Sequence, residues 1–261
     1  MSRPGLLLAL GLSSLLLAAC TLADEEPLPT QDIVGSIPWK VGEETSYTIL
    51  DNDDKVLGTG ALRIDQEDGQ LRLSQHYENP DFDDRSSVLV DPQTLKPIEG
   101  ERVITGEDGV LRIEVHYSSD VAEIERIATE EGKEEERRID RLDVPEHAYD
   151  AGASLFLWRT IPMQVDYRAA YRSMATAVLG KSQENRVTLR VLRQETVEVP
   201  AGTFEAWRVE IRAPGGVKQT AWYSADSARR LLKYDNGQNT FVLESVKEGW
   251  AGGASVSQFK R

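Results

Sequence analysis

The stretch RVTLRVLRQETVEV, Arg186 to Val199, sets Val187, Leu189, Val191, Val197 and Val199 against Thr188, Arg190 and Glu198. A period of two with one apolar face is the signature of a strand in an antiparallel sheet that is dry on one side and wet on the other. The same alternation follows in AWRVEIR, where Trp207, Val209 and Ile211 oppose Arg208, Glu210 and Arg212. It also precedes the stretch. In QLRLSQHY, Leu71, Leu73 and Tyr77 share a face, and in VLRIEVHY, Leu111, Ile113, Val115 and Tyr117 do. Turn-forming clusters separate the runs: Asp51 to Asp54, Asp68-Gly69, Glu107 to Gly109, Pro214 to Gly216 and Asp235 to Gly237. Counting the runs between turns predicts about nine to eleven strands.

YDAGASLFLWRTIPM breaks the alternation. Asp150 can cap a helix start by accepting a backbone N–H bond, and Pro162 ends the helix. The pattern predicts a short helix over Ala151 to Ile161, apolar almost all round, which must be covered. Tyr167 to Leu179 fits either a second helical piece or a loop. A sheet with one dry face needs something against it. The expected fold is mainly β: a large, strongly curved antiparallel sheet or half-open barrel with the short helix on its concave face. A closed barrel and a sandwich are the other solutions.

Within this β region, VEVPAGTFEAWRVEI (Val197 to Ile211), QTAWYSADSARRLLKYDNG (Gln219 to Gly237) and SSVLVDPQTLKPIEGERV (Ser86 to Val103) resemble the domain of unknown function 3108 family of bacterial envelope proteins. The resemblance runs from about Glu43 to Ser245. It implies an antiparallel β fold and an envelope location, and carries over no catalytic residue. By looser analogy the element order is similar to the half-barrel of bacterial lipoprotein carriers, though fold analogy does not establish function. On its own residues, VPAGTF reads as a hairpin turn. Pro200 cannot donate to the ladder, and Gly202 allows a positive φ.

Outward from the β region, residues 39–250 read as a single antiparallel β domain and residues 251–261 as a flexible tail. Residues 20–38, with three prolines and four acidic residues, read as a disordered tether. Before them lies LLLALGLSSLLLAA, Leu6 to Ala19, preceded by Arg3. It is short for a bilayer span, which takes about 20 residues, and fits the apolar region of a secretory signal over residues 1–19. Leu17-Ala18-Ala19-Cys20 resembles the bacterial lipoprotein signal. That resemblance implies cleavage before Cys20 and acyl chains on its sulfur and new amino end. One chain holds a protein only marginally, whereas two or three hold it firmly. Thr21 follows the cysteine, so the acidic residue that retains some lipoproteins at an inner membrane is missing; which membrane or leaflet is used stays open. Cys20 is the single cysteine of 261 residues, so acylation leaves no thiol, disulfide or cysteine metal site.

The chain carries 30 Lys+Arg and 44 Asp+Glu, a net charge of −14. Loss of the leader takes Arg3 with it and leaves −15. Nucleic acid, which requires a basic footprint, is excluded as a partner. No Gly-x-Ser-x-Gly elbow or Walker loop is present. GTGALR at Gly58 to Arg63 lacks the third glycine of a dinucleotide loop. The three histidines, His76, His116 and His147, have no metal-ligand spacing. NPDFDD, Asn79 to Asp84, offers alternate oxygens without the glycine and distal glutamate of a calcium loop and reads as an acidic turn. EEGKEEERRIDR, Glu130 to Arg141, reads as a solvated hairpin with cross-strand ion pairs. No cofactor, metal or catalytic residue is expected.

The aromatic residues of the second half leave one candidate site. Leu155, Phe156, Trp158, Tyr167, Trp207 and Trp222 read either as plain core or as an apolar pocket, with the helix as its lid. The expected function is a non-enzymatic, lipid-anchored envelope protein outside the cytoplasm, binding or carrying a hydrophobic small molecule or lipid. A structural or assembly lipoprotein docking an envelope protein partner is the alternative. A hydrolase with unrecognised residues is the third.

Overall fold

The computed structural model describes residues 27–213 and 218–247. The leader, Cys20, the turn at Pro214 to Gly216 and the C-terminal tail lie outside the described residues.

Fifteen strands form one sheet. The first limb is a meander: β1 (Glu44–Leu50), β2 (Val56–Glu67), β3 (Gln70–Glu78), β4 (Phe82–Val90), β5 (Pro97–Gly106), β6 (Gly109–Tyr117), β7 (Val121–Thr129) and β8 (Glu136–Asp143). The second limb holds β9 (Ala148–Asp150), β10 (Arg168–Ala175), β11 (Gln183–Val199), β12 (Gly202–Arg212), β13 (Lys218–Ser224), β14 (Leu231–Asp235) and β15 (Thr240–Lys247). The limbs join where β15 pairs with β1, so the order runs from β8 down to β1, then β15 down to β9. Every neighbouring pair is antiparallel except β9–β10. The edges β8 and β9 do not pair with each other, so the sheet curls without closing into a barrel.

The alternation that predicts β11 is the alternation observed. Val187, Leu189, Val191, Val197 and Val199 are all buried, while Thr188, Arg190 and Glu198 are not. A register shift between Val191 and Arg193 inserts one residue, which bends the long strand. VPAGTF is the predicted hairpin: Val199 pairs with Gly202, whose φ of 135° is open to glycine. The strands outnumber the expected nine to eleven, and β9 and β10 come from segments not read as strands.

The helix is shorter than Ala151 to Ile161. A 3-10 turn (Ala151–Ala153) leads into α1 (Ser154–Leu157). Asp150 caps it as expected, accepting from Gly152 N at 2.7 Å. It stops early because Thr160 Oγ1 donates to Leu157 O (2.8 Å) and closes the end before Pro162. It lies in the concavity and touches both limbs: Tyr223 of β13 donates to Leu155 O at 3.0 Å, and Gln75 of β3 donates to Gly152 O.

Two expectations are corrected. Tyr167 to Leu179 is neither helix nor loop over most of its length but contains β10, paired to β11 and β9. Ala169 to Tyr171, Ser173 and Met174 are all buried, so the strand carries no alternation to read. The second half of the expected tether, from Pro27 to Pro38, is docked. Ile33 is 2% exposed, and Val34 and Ile37 pack against the core. Gln31 N donates to Ala170 O (2.9 Å), and Gly35 N and Ser36 N donate to Thr160 O (3.2 and 3.1 Å). Burial of these three apolar side chains outweighs the entropy retained by a free, proline-rich segment.

Candidate functional site

The inward residues of β3, β4 and β5 change character along the strands. Leu73, Val88 and Gly100 lie in one row, Gln75, Ser86 and Arg102 in the next, and Tyr77 with Asp84 in the third. The apolar floor thus gives way to a polar mouth. Asp150 to Gly152 and the segment after β10 complete a cleft of about 210 Å³. Gly152 leaves room here: a Cβ would come within 2.9 Å of the Val88 side chain and force it to shift.

The polar groups of this cleft hold one another. Arg102 donates twice to the buried Asp84, from Nε at 2.9 Å and Nη2 at 2.7 Å, and its Nη1 donates to Ala177 O at 2.8 Å. That carboxylate holds the Arg102 guanidinium above its ordinary pKa. Tyr77 donates to Gln75 Oε1, and Gln75 donates onward to Gly152 O. Asp150 is 3% exposed and accepts from Tyr117 Oη, from Thr176 Oγ1 (2.8 Å) and from Gly152 N. Burial raises its pKa, with these three donors pulling the other way. Burial likewise pushes the Tyr77 and Tyr117 hydroxyls upward. The cleft is therefore lined by preorganised hydrogen-bonding groups, with the Arg102–Asp84 ion pair among them. No histidine or cysteine lines it, and its carboxylates are Asp84, Glu101 and Asp150.

The six residues expected to form an apolar pocket lie at different depths. Leu155, Phe156 and Trp158 are 6%, 1% and 4% exposed and packed into the core. Phe156 meets Trp39 edge-on, and Trp158 Nε1 donates to Tyr171 Oη at 2.9 Å. Tyr167 and Trp207 are half-buried at the core's margin. Trp222 lies on the opposite face from Ala221 and Tyr223. Its Nε1 donates to Glu195 (2.6 Å), and Arg208 and Lys233 sit over its ring at 5.3 and 5.4 Å. None of the six lines the polar cleft.

A shallower cleft of about 450 Å³ lies at the β4–β5 end, beside the Asn79–Asp84 turn. Asn79 Oδ1 accepts from Asp81 N and Phe82 N at 2.8 and 3.0 Å, which makes the stretch the acidic turn expected. His76 Nε2 meets Asp83 Oδ2 at 2.8 Å, and with Glu78 these residues place ligand atoms within 4.8 Å of one another. Linear spacing missed this grouping because its members come from two paired strands. Asp83 is already engaged by Arg85 at 2.9 Å. The Glu130–Arg141 hairpin carries the expected ion pairs, Arg137–Glu125 (2.6 Å) and Arg141–Glu123 (2.8 Å), with both arginines exposed.

The sequence profile of DUF3108, proteins of unknown function, matches residues 46–243. The chain belongs to this family. No curated protein matches it in sequence. Among solved structures, a β-barrel-like DUF1849 protein from Brucella abortus superposes with a TM-score of 0.50 at 11% identity, covering 80% of this chain and 98% of its own. A DUF1089 family protein from Pseudomonas aeruginosa gives a TM-score of 0.39 at 12% identity, covering 67% and 89%. The first likeness supports the β-barrel-like fold of this DUF3108 member and nothing further. Family and fold indicate no catalytic role. Among the described residues no helix is long and apolar enough to cross a membrane.

Proposed function

We propose that this DUF3108 protein is a cell-envelope lipoprotein, held at the membrane through Cys20, that binds a ligand and catalyses nothing. The ligand is a small, neutral molecule rich in hydroxyl or amide groups, such as a saccharide unit, held in the cleft between Arg102 and Asp150. The observation that carries this reading is the closed hydrogen-bond network of that cleft. Its donors and acceptors are fixed before any ligand arrives, which lowers the ordering cost of binding.

The apolar-carrier reading is disfavoured because Leu155, Phe156 and Trp158, its expected lid, are packed into the core. The anchor reading rests on Leu17 to Cys20. Two measurements test the proposal. Mass spectrometry of the membrane-extracted protein should find acyl chains on Cys20; an unmodified cysteine would overturn the anchor. Thermal melts with saccharide and fatty-acid panels should show stabilisation by a saccharide that disappears in Ser86→Leu, which fills the cleft. Stabilisation by fatty acids alone, or a saccharide effect that survives Ser86→Leu, would overturn the ligand assignment.

A further inference from the structure

The two edges of the open sheet differ. β9 is three residues long and all three are buried, with Lys96 Nζ donating to Ala148 O at 3.3 Å. In β8 none of the eight residues is buried, and among the described residues the strand pairs only with β7. Backbone N–H and C=O groups on its other side are left for a further strand. The strand holds Glu136, Asp140 and Asp143 against Arg137, Arg138 and Arg141, so it is neutral in a chain of net charge −14. Ile139 stands between these charges on the outward face, opposite Glu125 and 57% accessible.

A second copy joins such an edge through a two-fold axis. With the axis normal to the sheet, both concave faces stay on one side, and one residue of β8 meets itself. Centring on Arg137, Arg138, Asp140 or Arg141 sets a charge against itself, which is unfavourable directly across a ladder. Centring on Ile139 sets Ile139 against Ile139 and Arg138 against Asp140 of the other copy, twice. Arg138 already pairs with Asp140 of its own strand at 2.9 Å, so the four side chains close a ring of alternating charge. Glu136 meets Leu142. Arg137 meets Arg141, but each has its own carboxylate on β7, Glu125 at 2.6 Å and Glu123 at 2.8 Å. Outside the strand Glu135 faces Asp143, a like pair at the two exposed ends.

We propose that the free edge of β8 is a self-association surface, on which a second copy of this chain adds its own β8 antiparallel about an axis through Ile139. Main-chain hydrogen bonds supply the attraction, as in strand addition generally. Ile139 and the Arg138–Asp140 pairs fix the register. A single strand pair is a small contact, so the association depends on concentration. The proposal is independent of the ligand and anchor readings above.

Sedimentation of the full-length protein in detergent over a concentration series tests the edge. The protein mass should rise from one chain to two. Ile139→Lys, at an exposed position, should stay single with its circular dichroism unchanged, and Arg138→Glu should shift the rise to higher concentration. Residues directly opposite in a ladder hold their Cβ atoms about 4.5–5.5 Å apart, so Ile139→Cys should form a disulfide between copies on mild oxidation. Arg112→Cys, exposed on the outward face of β6, should cross-link no more than wild type, whose single cysteine is Cys20. A single chain at every concentration, or a dimer that survives Ile139→Lys, would overturn the proposal. So would equal cross-linking from positions 139 and 112. An Ile139→Cys thiol that neither cross-links nor reacts with maleimide would give the edge to another part of the same chain, and would overturn it too.

Discussion

Asp150 combines three roles in one side chain: it caps the 3-10 turn, receives Tyr117 and Thr176, and forms a wall of the polar cleft. Its pKa is raised by burial, so the folded state holds its proton more tightly than the unfolded chain does. The contribution to stability is therefore fully present below the unfolded value near 3.8 and is lost as pH rises through the folded value. Carboxylates such as Asp91 and Glu67, whose pKa values are lowered by hydrogen bonds, act in the opposite sense. Only a difference measurement isolates Asp150. Urea melts of wild type and Asp150→Asn across the acid range should show wild type losing stability relative to the variant as pH climbs from 4; a constant gap would mean that Asp150 stays ionised. Arg159 is the second residue on which much rests. It is 3% exposed, pairs with Glu43 at 2.7 Å, and donates to Arg229 O and Ala228 O at 2.9 and 2.7 Å. Arg159→Ala leaves the buried Glu43 with only the more distant Arg230, at 3.7 Å, and should cost about 3–5 kcal/mol in chemical denaturation. The double change Arg159→Met/Glu43→Leu should recover part of that loss, because it removes both charges.

At the scale of the element, the hairpin Val199–Gly202 is the most constrained turn of the family-like motif. With φ at 135°, Gly202→Ala forces an L side chain into a region that costs about 1–3 kcal/mol. The variant's melting temperature should fall with the fold retained by circular dichroism; an unchanged melt would show that the turn relaxes freely. This element was legible before the structure because proline, glycine and the flanking alternation all speak locally. So were β3, β6, β11 and β12, whose one wet face writes itself into the sequence. β10 was not legible, since Ala169, Ala170, Tyr171 and Met174 bury both faces and erase the period. The docked segment from Pro27 to Pro38 was hidden by its composition, because prolines and acids outnumber the three apolar residues that anchor it. The polar cleft was equally hidden: Gln75, Asp84, Arg102 and Asp150 come from four separate elements, and only the register of the sheet brings them together.

Across the whole molecule, the open sheet has two cores of unequal size. The larger spans both limbs and the helix; the smaller holds Ile113, Val115, Ala122 and Ile124 of β6 and β7. What keeps the β6–β8 end curled is a polar clasp. Arg126 donates to Val178 O (3.2 Å), Thr176 O (3.1 Å) and Ser182 Oγ (2.5 Å), and Arg102 takes Ala177 O between them. Two half-buried arginines thus hold the segment after β10 against the far limb. β8 itself has one paired neighbour and an exposed, charged sequence, so little burial resists its opening. Local opening free energies follow such differences in apolar contact. Amide exchange in β8 and β7 should accordingly be faster than in β11 to β13, and Arg126→Met should accelerate β6 to β8 selectively. Because the clasp also forms one wall of the polar cleft, the same variant should weaken saccharide binding without lowering protection in β11. Uniform acceleration throughout the sheet would instead mean that the two limbs unfold as one unit, and the cleft could then not open by movement of the β6–β8 end alone.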